Sequence, residues 1–404
     1  MRILYVTYDG LTSLLGQSQV WPYIRGLSGM GHRFDLISFE QDDRHARIGA
    51  AVADETNVHG VAWHPRRFRA KPPVLAKILD HRDMLAAARG LARGGAIDAV
   101  HARSYVAADV AQRLKREIGL PWIFDMRGFW VDERLDGGRW PQSNPFHRHL
   151  YRRWKAKEQG FVADADRIVV LTEAARDEIA TWSGYRGQPV SVIPCSVDHD
   201  VFDISTPKDR TQARAELEVG GDAVVLSYLG SIGTVYLLHQ MLVLFARLKA
   251  ARPGARFLLI GWHDLQAVLA EAAGLDISAD DLIVQHSEHA QVPYWLGAAD
   301  LAIALRRPSY SSLGASPTKL AEYLACGLPV VVNDRVGDVA RIVTRLEAGA
   351  VLREMTESEM DSVVAGLDQL LAIDRTALRA RSRALHDLPA ALAAYGAVYD
   401  GLAP

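Results

Sequence analysis

In the stretch SPTKLAEYLACGLPVVV, residues 316 to 332, Lys319 and Glu322 stand three apart at the start of a helix-forming run, which puts an ammonium and a carboxylate on one face. Ser316 reads as the N-cap and Pro317 as the first helical residue, because a serine oxygen accepts a free backbone N–H and proline has none to leave unsatisfied. The helix then runs to Cys326, Gly327 closes it in the left-handed conformation, and PVVV reads as a strand buried on both faces. Lys319 is thus the third helical residue, at the positive end of the helix dipole, where a cation costs about 0.3–1 kcal/mol. An anion shared by the helix N–H groups and the ammonium reverses that sign, and phosphate is the obvious candidate. The competing reading is a surface ion pair between Lys319 and Glu322.

Five other stretches carry polar groups at the ends of apolar runs. In YDGLTSLLGQSQV, Gly10 and Gly16 bracket a loop that lets backbone N–H groups approach an anion, and Ser18 is placed to cap the helix behind it. The alternative is that both glycines are plain turn residues. In YLGSIGTVYLL, residues Gly230, Ser231, Gly233 and Thr234 offer open backbone and hydroxyls for a phosphate. VHARSY supplies His101, Arg103 and Tyr105; FDMRGFWVDER supplies Asp125, Arg127, Asp132 and Glu133, with a solvated surface cluster as the competing account. Arg306 and Arg307 end DLAIALRR, within reach of the same phosphate as Lys319. No G-x-G-x-x-G is present, so a dinucleotide-binding dehydrogenase has little support.

Parallel sheets wound with helices are what must position these groups. In the first half, RILYVTY, RFDLISF, AVHA, WIFDM, RIVVLT and VSVIP alternate with amphipathic stretches; in the second, AVVLSYLG, ARFLLIG, DLIVQHS, DLAIALR, LPVVVN and GAVL do the same. The expected fold class is α/β: two doubly wound, Rossmann-like domains, residues 1–195 and 223–375. The polar segment 196–222 is expected to link them, and helices in 376–404 to return toward the first domain, packing across the junction. Ligands of open parallel sheets lie at the carboxyl ends of the strands, which places the expected active site in a crevice between the domains.

At 404 residues the chain is long enough for two cores. A formal net charge of −2 argues against a nucleic-acid partner bound by bulk electrostatics. Cys195 and Cys326 suggest neither a disulfide framework nor a zinc pattern, and no metal site is expected. With no signal-like or membrane-spanning run, the expected location is the cytoplasm. Two stretches, RRFRAKPPVLAKILDHR from Arg66 and FHRHLYRRWKAK from Phe146, mix cations with apolar residues. They suggest a basic face that docks on the anionic inner surface of a membrane, with ordinary solvated helix faces as the alternative.

SPTKLAEYLACGLPVVV, DGLTSLLGQSQV, FDMRGFW and IPCSVDHDVF resemble, in order along nearly the whole chain, segments of the retaining glycosyltransferases of family four, which have the two-domain GT-B fold and use nucleotide sugars. The resemblance implies that Lys319 and the helix start at Ser316 and Thr318 bind the donor diphosphate and that Glu322 holds the ribose hydroxyls. Gly230, Ser231, Thr234 and Arg306 would complete the donor side, and Gly16 and Gln17 would lie near the diphosphate or the acceptor. His101, Asp125 and Arg127 would form the catalytic group, with Arg103 and Tyr105 beside the acceptor. It also implies transfer of a hexose from a UDP- or GDP-sugar to a hydroxyl of a glycan or lipid-linked acceptor, in bacterial polysaccharide or glycolipid assembly, with no cofactor and no metal. The chain departs from the family in three places: Gly314 stands where the first of two glutamates eight apart belongs, Ser231 and Thr234 replace an arginine and a lysine, and Asp125 replaces a histidine. A nucleotide-sugar epimerase of the same build and a non-catalytic remnant are the alternatives.

Overall fold

The computed structural model describes residues 1–233 and 235–402 and divides into two compact units, Met1–Pro194 with Leu388–Pro404, and Cys195–Asp387. The first is built on seven parallel strands: β1 (Arg2–Thr7), β2 (Arg33–Glu40), β3 (Ala62–Arg67), β4 (Ala99–Arg103), β5 (Trp122–Asp125), β6 (Arg167–Val170) and β7 (Val190–Val192). Their order is β3-β2-β1-β4-β5-β6-β7. Strands β1, β4 and β5 are buried on both faces, which is why each is an almost uninterrupted apolar run. The order reverses between β1 and β4, so the loops after those strands open a crevice at their carboxyl ends.

The second unit repeats the scheme with β8 (Val225–Leu229), β9 (Arg256–Ile260), β10 (Leu282–Gln285), β11 (Leu301–Ala304), β12 (Val330–Asn333) and β13 (Gly349–Leu352), in the order β10-β9-β8-β11-β12-β13. Here the reversal lies between β8 and β11. Leu258, Ile260, Ala302, Val330 and Val332 pack one face of this sheet against Leu320, Tyr323 and Leu324 of the helix Thr318–Ala325.

Two boundaries differ from the sequence reading. Residues 196–222 are not a linker: Phe202, Ala213, Leu217 and Val219 are buried in the core of the second unit, and Thr206 caps the helix Pro207–Glu216 there. Its Arg214 donates to the carbonyls of Ala298 and Gly220. The returning segment is also shorter than 376–404, because the helix Arg375–His386 stays in the second unit. There Arg379 donates to the carbonyl of Ala325 at 2.7 Å, closing the last turn of the helix Thr318–Ala325 with a cation at its negative end.

Only the helix Leu388–Asp400 joins the first unit. It lies against the helix Trp21–Gly29 so closely that a Cβ on Gly26 would meet Leu392 Cδ1 at 2.3 Å, and Tyr395 sets its ring edge-on to Tyr23 at 5.8 Å. No described helix is long and apolar enough to cross a membrane.

Candidate functional site

In the second unit the chemistry gathers at the carboxyl ends of β8, β9 and β11 and at the start of the helix Thr318–Ala325. Pro317, not Ser316, is the N-cap residue of that helix, and no side chain caps it. Ser316 Oγ instead accepts from the Cys195 N–H at 3.2 Å, tying down the approach to the helix. Gly327 takes φ +67 and ends the helix as its sequence suggests.

Lys319 is 7% exposed and runs inward, so the surface ion pair with Glu322 does not form. Its Nζ donates to the Tyr228 hydroxyl at 2.8 Å and lies 3.6 Å from the centre of the Tyr236 ring, held by a phenol oxygen and two π faces rather than by a carboxylate. Burial drives its pKa well below the ordinary lysine value against the pull of Glu322, and Arg306 adds to the lowering. Tyr228 in turn donates to the Ser231 carbonyl at 2.8 Å, so one phenol links the ammonium to the loop after β8. At the head of that loop Gly230 takes φ +92, with Lys319 Nζ 3.6 Å from where a Cβ would be. Ser231 is exposed, and Thr234 lies outside the described residues.

Arg306 approaches from β11. Its backbone is clamped by Asn333, whose Oδ1 accepts from Arg306 N at 2.7 Å and whose Nδ2 donates to Arg306 O at 2.9 Å. The guanidinium stands 6.0 Å from the Tyr236 ring centre, and its Nε is buried with no hydrogen-bond partner among the described residues. Glu322 is buried one turn below Lys319, with Oε1 3.3 Å from His289 Nε2, too poorly aligned for a hydrogen bond. His263, after β9, also has an unpartnered buried Nε2; burial lowers its pKa, the Ile260 carbonyl opposes this, and Lys319 reinforces it. A buried ammonium and an unpartnered guanidinium nitrogen beside one loop are donors suited to negative charge, whereas the neutral His263, bonded to the Ile260 carbonyl, presents the lone pair of Nε2. Thr318 is half-buried at its rim and Arg307 is exposed. The sequence reading did not reach Tyr228, Tyr236, His263, His289 or Asn333. Tyr228 and Asn333 lie at the ends of β8 and β12, and Tyr236, His263 and His289 follow β8, β9 and β10.

The first unit sorts its candidates differently. His101, Asp125, Arg103 and Tyr105 are all buried, so of the group His101, Asp125 and Arg127 that the resemblance implies, Arg127 is the member with some exposure. The last helix covers them: the Tyr399 hydroxyl lies 2.8 Å from His101 Nδ1, and the Tyr395 hydroxyl donates to Asp125 Oδ2 at 3.2 Å. Burial lowers the His101 pKa and keeps the ring neutral; with Nε2–H directed at Asp125, Nδ1 is left to accept from Tyr399. Burial favours the neutral acid at Asp125, yet Arg127, His101 and Arg103 together hold its carboxyl below the usual range. Arg103 and Arg127 each stand 3.8 Å from it, and Arg103 reaches Asp9 at 3.2 Å.

Asp125 lies beneath the two arginines, and beside it Asp9 and, in part, Arg127 reach the surface. Asp9, at the end of β1, was passed over in the sequence. Ser104 and Arg127 adopt φ of 68 and 57 at the ends of β4 and β5, two non-glycine residues in left-handed conformation where neighbouring strands open. Tyr105 is a structural residue, donating to the buried Glu158 at 2.6 Å.

The glycine loop after β1 is not an open anion site. The buried Glu40 carboxylate takes the N–H groups of Leu11 and Thr12 at 2.8 and 3.0 Å. A Cβ on Gly10 would lie 2.7 Å from Glu40 Oε2, and one on Gly16 would lie 2.0 Å from the Gly10 carbonyl, so both glycines serve close packing. Ser13, not Ser18, caps the following helix, and Gln17 Nε2 donates to the Leu11 carbonyl at 2.7 Å.

Residues 16–196 match the Glycosyl transferase 4-like domain, and residues 209–386 match the Glycosyl transferases group 1 family. A D-inositol 3-phosphate glycosyltransferase from Segniliparus rotundus is 25% identical over 319 residues, 76% of this chain and 68% of that protein. Further relatives of the same name are matched over 35% to 63% of their length. Among solved structures, sucrose-phosphate synthase from Thermosynechococcus elongatus superposes with a TM-score of 0.71 at 16% identity, over 100% of this chain and 99% of that one. HepE from Anabaena, in complex with UDP and glucose, superposes with a TM-score of 0.71 at 13% identity, over 99% of each chain. With both domain families matched in order and the fold shared from end to end, the chain belongs to the family four, group 1 glycosyltransferases, GT-B enzymes that take their sugar from a nucleotide sugar.

Proposed function

We propose that the protein moves a hexose, with retention, from a UDP- or GDP-sugar to a hydroxyl of a glycan or lipid-linked acceptor in bacterial polysaccharide or glycolipid assembly. The observation that carries the donor side is Lys319, a buried ammonium whose hydrogen-bond acceptor is a phenol. A diphosphate gives it the counter-charge it lacks, shared with Arg306 and the helix start. Glu322, one turn below, is placed for the ribose hydroxyls. In the reaction the bond from the anomeric carbon to the diphosphate breaks, the acceptor oxygen takes its place, and the acceptor proton passes to the departing diphosphate. The cations stabilise the charge that develops there, so no resident metal is invoked. Arg127 and Asp9 are the groups proposed to meet the acceptor. A thermal-shift screen of uridine, guanosine and adenosine diphosphate sugars tests the reading. Stabilisation by a UDP- or GDP-sugar supports it; no stabilisation by any of them overturns it, and conversion of the donor to an isomer without acceptor points to an epimerase.

The lipid-linked acceptor is supported by the helix Pro73–Gly94, where Val74, Leu75, Ile78 and Leu79 form an exposed apolar stripe at helical spacing. The nearby cations are less available than their number suggests. Arg67 pairs with Asp42 and Arg69 with Asp80, and in the second basic stretch Lys155 is held by Asp132 and Lys157 by Asp109. Docking on a bilayer of the inner membrane face would then rest more on apolar insertion than on charge. Sedimentation with anionic vesicles at high salt tests this: pelleting that Leu75→Asp with Ile78→Asp abolishes supports it, and protein that stays in the supernatant favours a soluble acceptor.

A further inference from the structure

Trp262 is 63% exposed, directly after β9, and its indole lies on the ring of His286, from the end of β10, with centroids 4.7 Å apart and planes 30° from parallel. His286 is itself exposed, so the pair stands at the surface and fills no core. The backbone holds both partners in place: Gly261 N–H donates to the Gln285 carbonyl at 2.9 Å, and His286 Nε2 lies 3.3 Å from the His263 carbonyl. The next residue, His263, turns the other way, toward Tyr228, at 6.2 Å between ring centres, and the charge of Lys319. Trp262 is thus the chain neighbour of the residue that faces Tyr228 and Lys319. A nucleoside whose diphosphate sits on Lys319 and that runs outward past His263 would bring its base toward Trp262.

We propose that the exposed face of Trp262, backed by His286, is the platform on which the base of the donor nucleotide stacks. The inference rests on the donor reading of Lys319 and extends it to the base. Stacking needs only a π face, so the platform itself accepts purine and pyrimidine and favours the larger ring.

Calorimetry with UDP, GDP, ADP and inorganic pyrophosphate tests it on the full chain. Because the indole is exposed, its removal leaves the core intact. Trp262→Ala is expected to weaken all three nucleotides about ten-fold or more while leaving pyrophosphate affinity within about two-fold. Trp262→Phe is expected to retain most of the nucleotide affinity. Nucleotide affinity unchanged in Trp262→Ala, or pyrophosphate affinity falling in step with it, overturns the platform. Wild-type protein that binds no nucleotide overturns the donor reading and the platform together. If Lys319→Met keeps its nucleotide affinity while Trp262→Ala loses it, the platform stands and the Lys319 reading fails.

Discussion

Lys319 places its ammonium 4.0 Å above the ring of Tyr228 and donates to the hydroxyl of the same residue, so one aromatic side chain solvates a buried cation twice. Solvation of this kind is weaker than a carboxylate would give. The lysine is held charged-ready at a cost to the folded unit, and that cost is where function and stability separate.

Replacing Lys319 by Met removes the buried charge and keeps the volume. The second unit is expected to melt higher, by about 2–4 °C for each kcal/mol relieved, and nucleotide-sugar binding is expected to be lost. Calorimetric scanning and titration of the same preparation check both. A variant that melts lower, or binds donor as before, removes Lys319 from the diphosphate site.

Donor binding should also take up a proton. The Lys319 pKa is well below its ordinary value in the free protein, and a bound diphosphate raises it. Between the two pKa values the complex carries more protons than the free protein, so affinity falls as pH rises through that window. Titrations in buffers of different ionisation enthalpy measure the uptake directly. Lys319→Met is expected to abolish this share.

Asp125→Asn leaves Arg103, almost fully buried, with Asp9 as its remaining carboxylate. Breaking a buried pair of this kind destabilises by about 3–5 kcal/mol, so the first unit should unfold at lower denaturant. Sugar transfer should fall sharply while donor affinity, proposed to belong to the second unit, stays unchanged. Equal losses in both would move Asp125 to the donor side.

Gly26→Val drives a side chain into Leu392, whose Cδ1 is 2.3 Å from the new Cβ position. The cost is expected to be about 1–3 kcal/mol, read by denaturant unfolding. Leu392→Ala in the same chain should recover much of it, a coupling that two independent sites would not show.

Both sheets were legible wherever a strand is buried on two faces, as at β1 and β12, because burial leaves only apolar residues to choose from. Strand β3, AWHPRR, was not legible. It pairs only with β2 at the sheet edge, where Pro65 is tolerated and polar side chains face water. The segment 196–222 misled for a related reason: its exposed face sets the composition, while only a few apolar residues such as Phe202, Ala213, Leu217 and Val219 reach the core. Lys319 could be singled out because it breaks a local electrostatic rule, and Glu322 because it shares the same helix face. The burial of His101 could not, since the tyrosine that covers it is 298 residues away in the chain. Local pattern reports local conflict, and long-range cover leaves no trace in it.

Glu40 has a consequence for where ligands can go. A chain that uses one nucleotide-binding architecture twice risks holding two nucleotides, one of them uselessly. By keeping its own carboxylate on the amides of Leu11 and Thr12, the first unit is permanently self-occupied at that loop. A phosphate arriving there would meet spent donors and a like charge. On the proposed reading this leaves the donor nucleotide to the second unit and the first sheet to the acceptor, with an internal carboxylate closing the alternative.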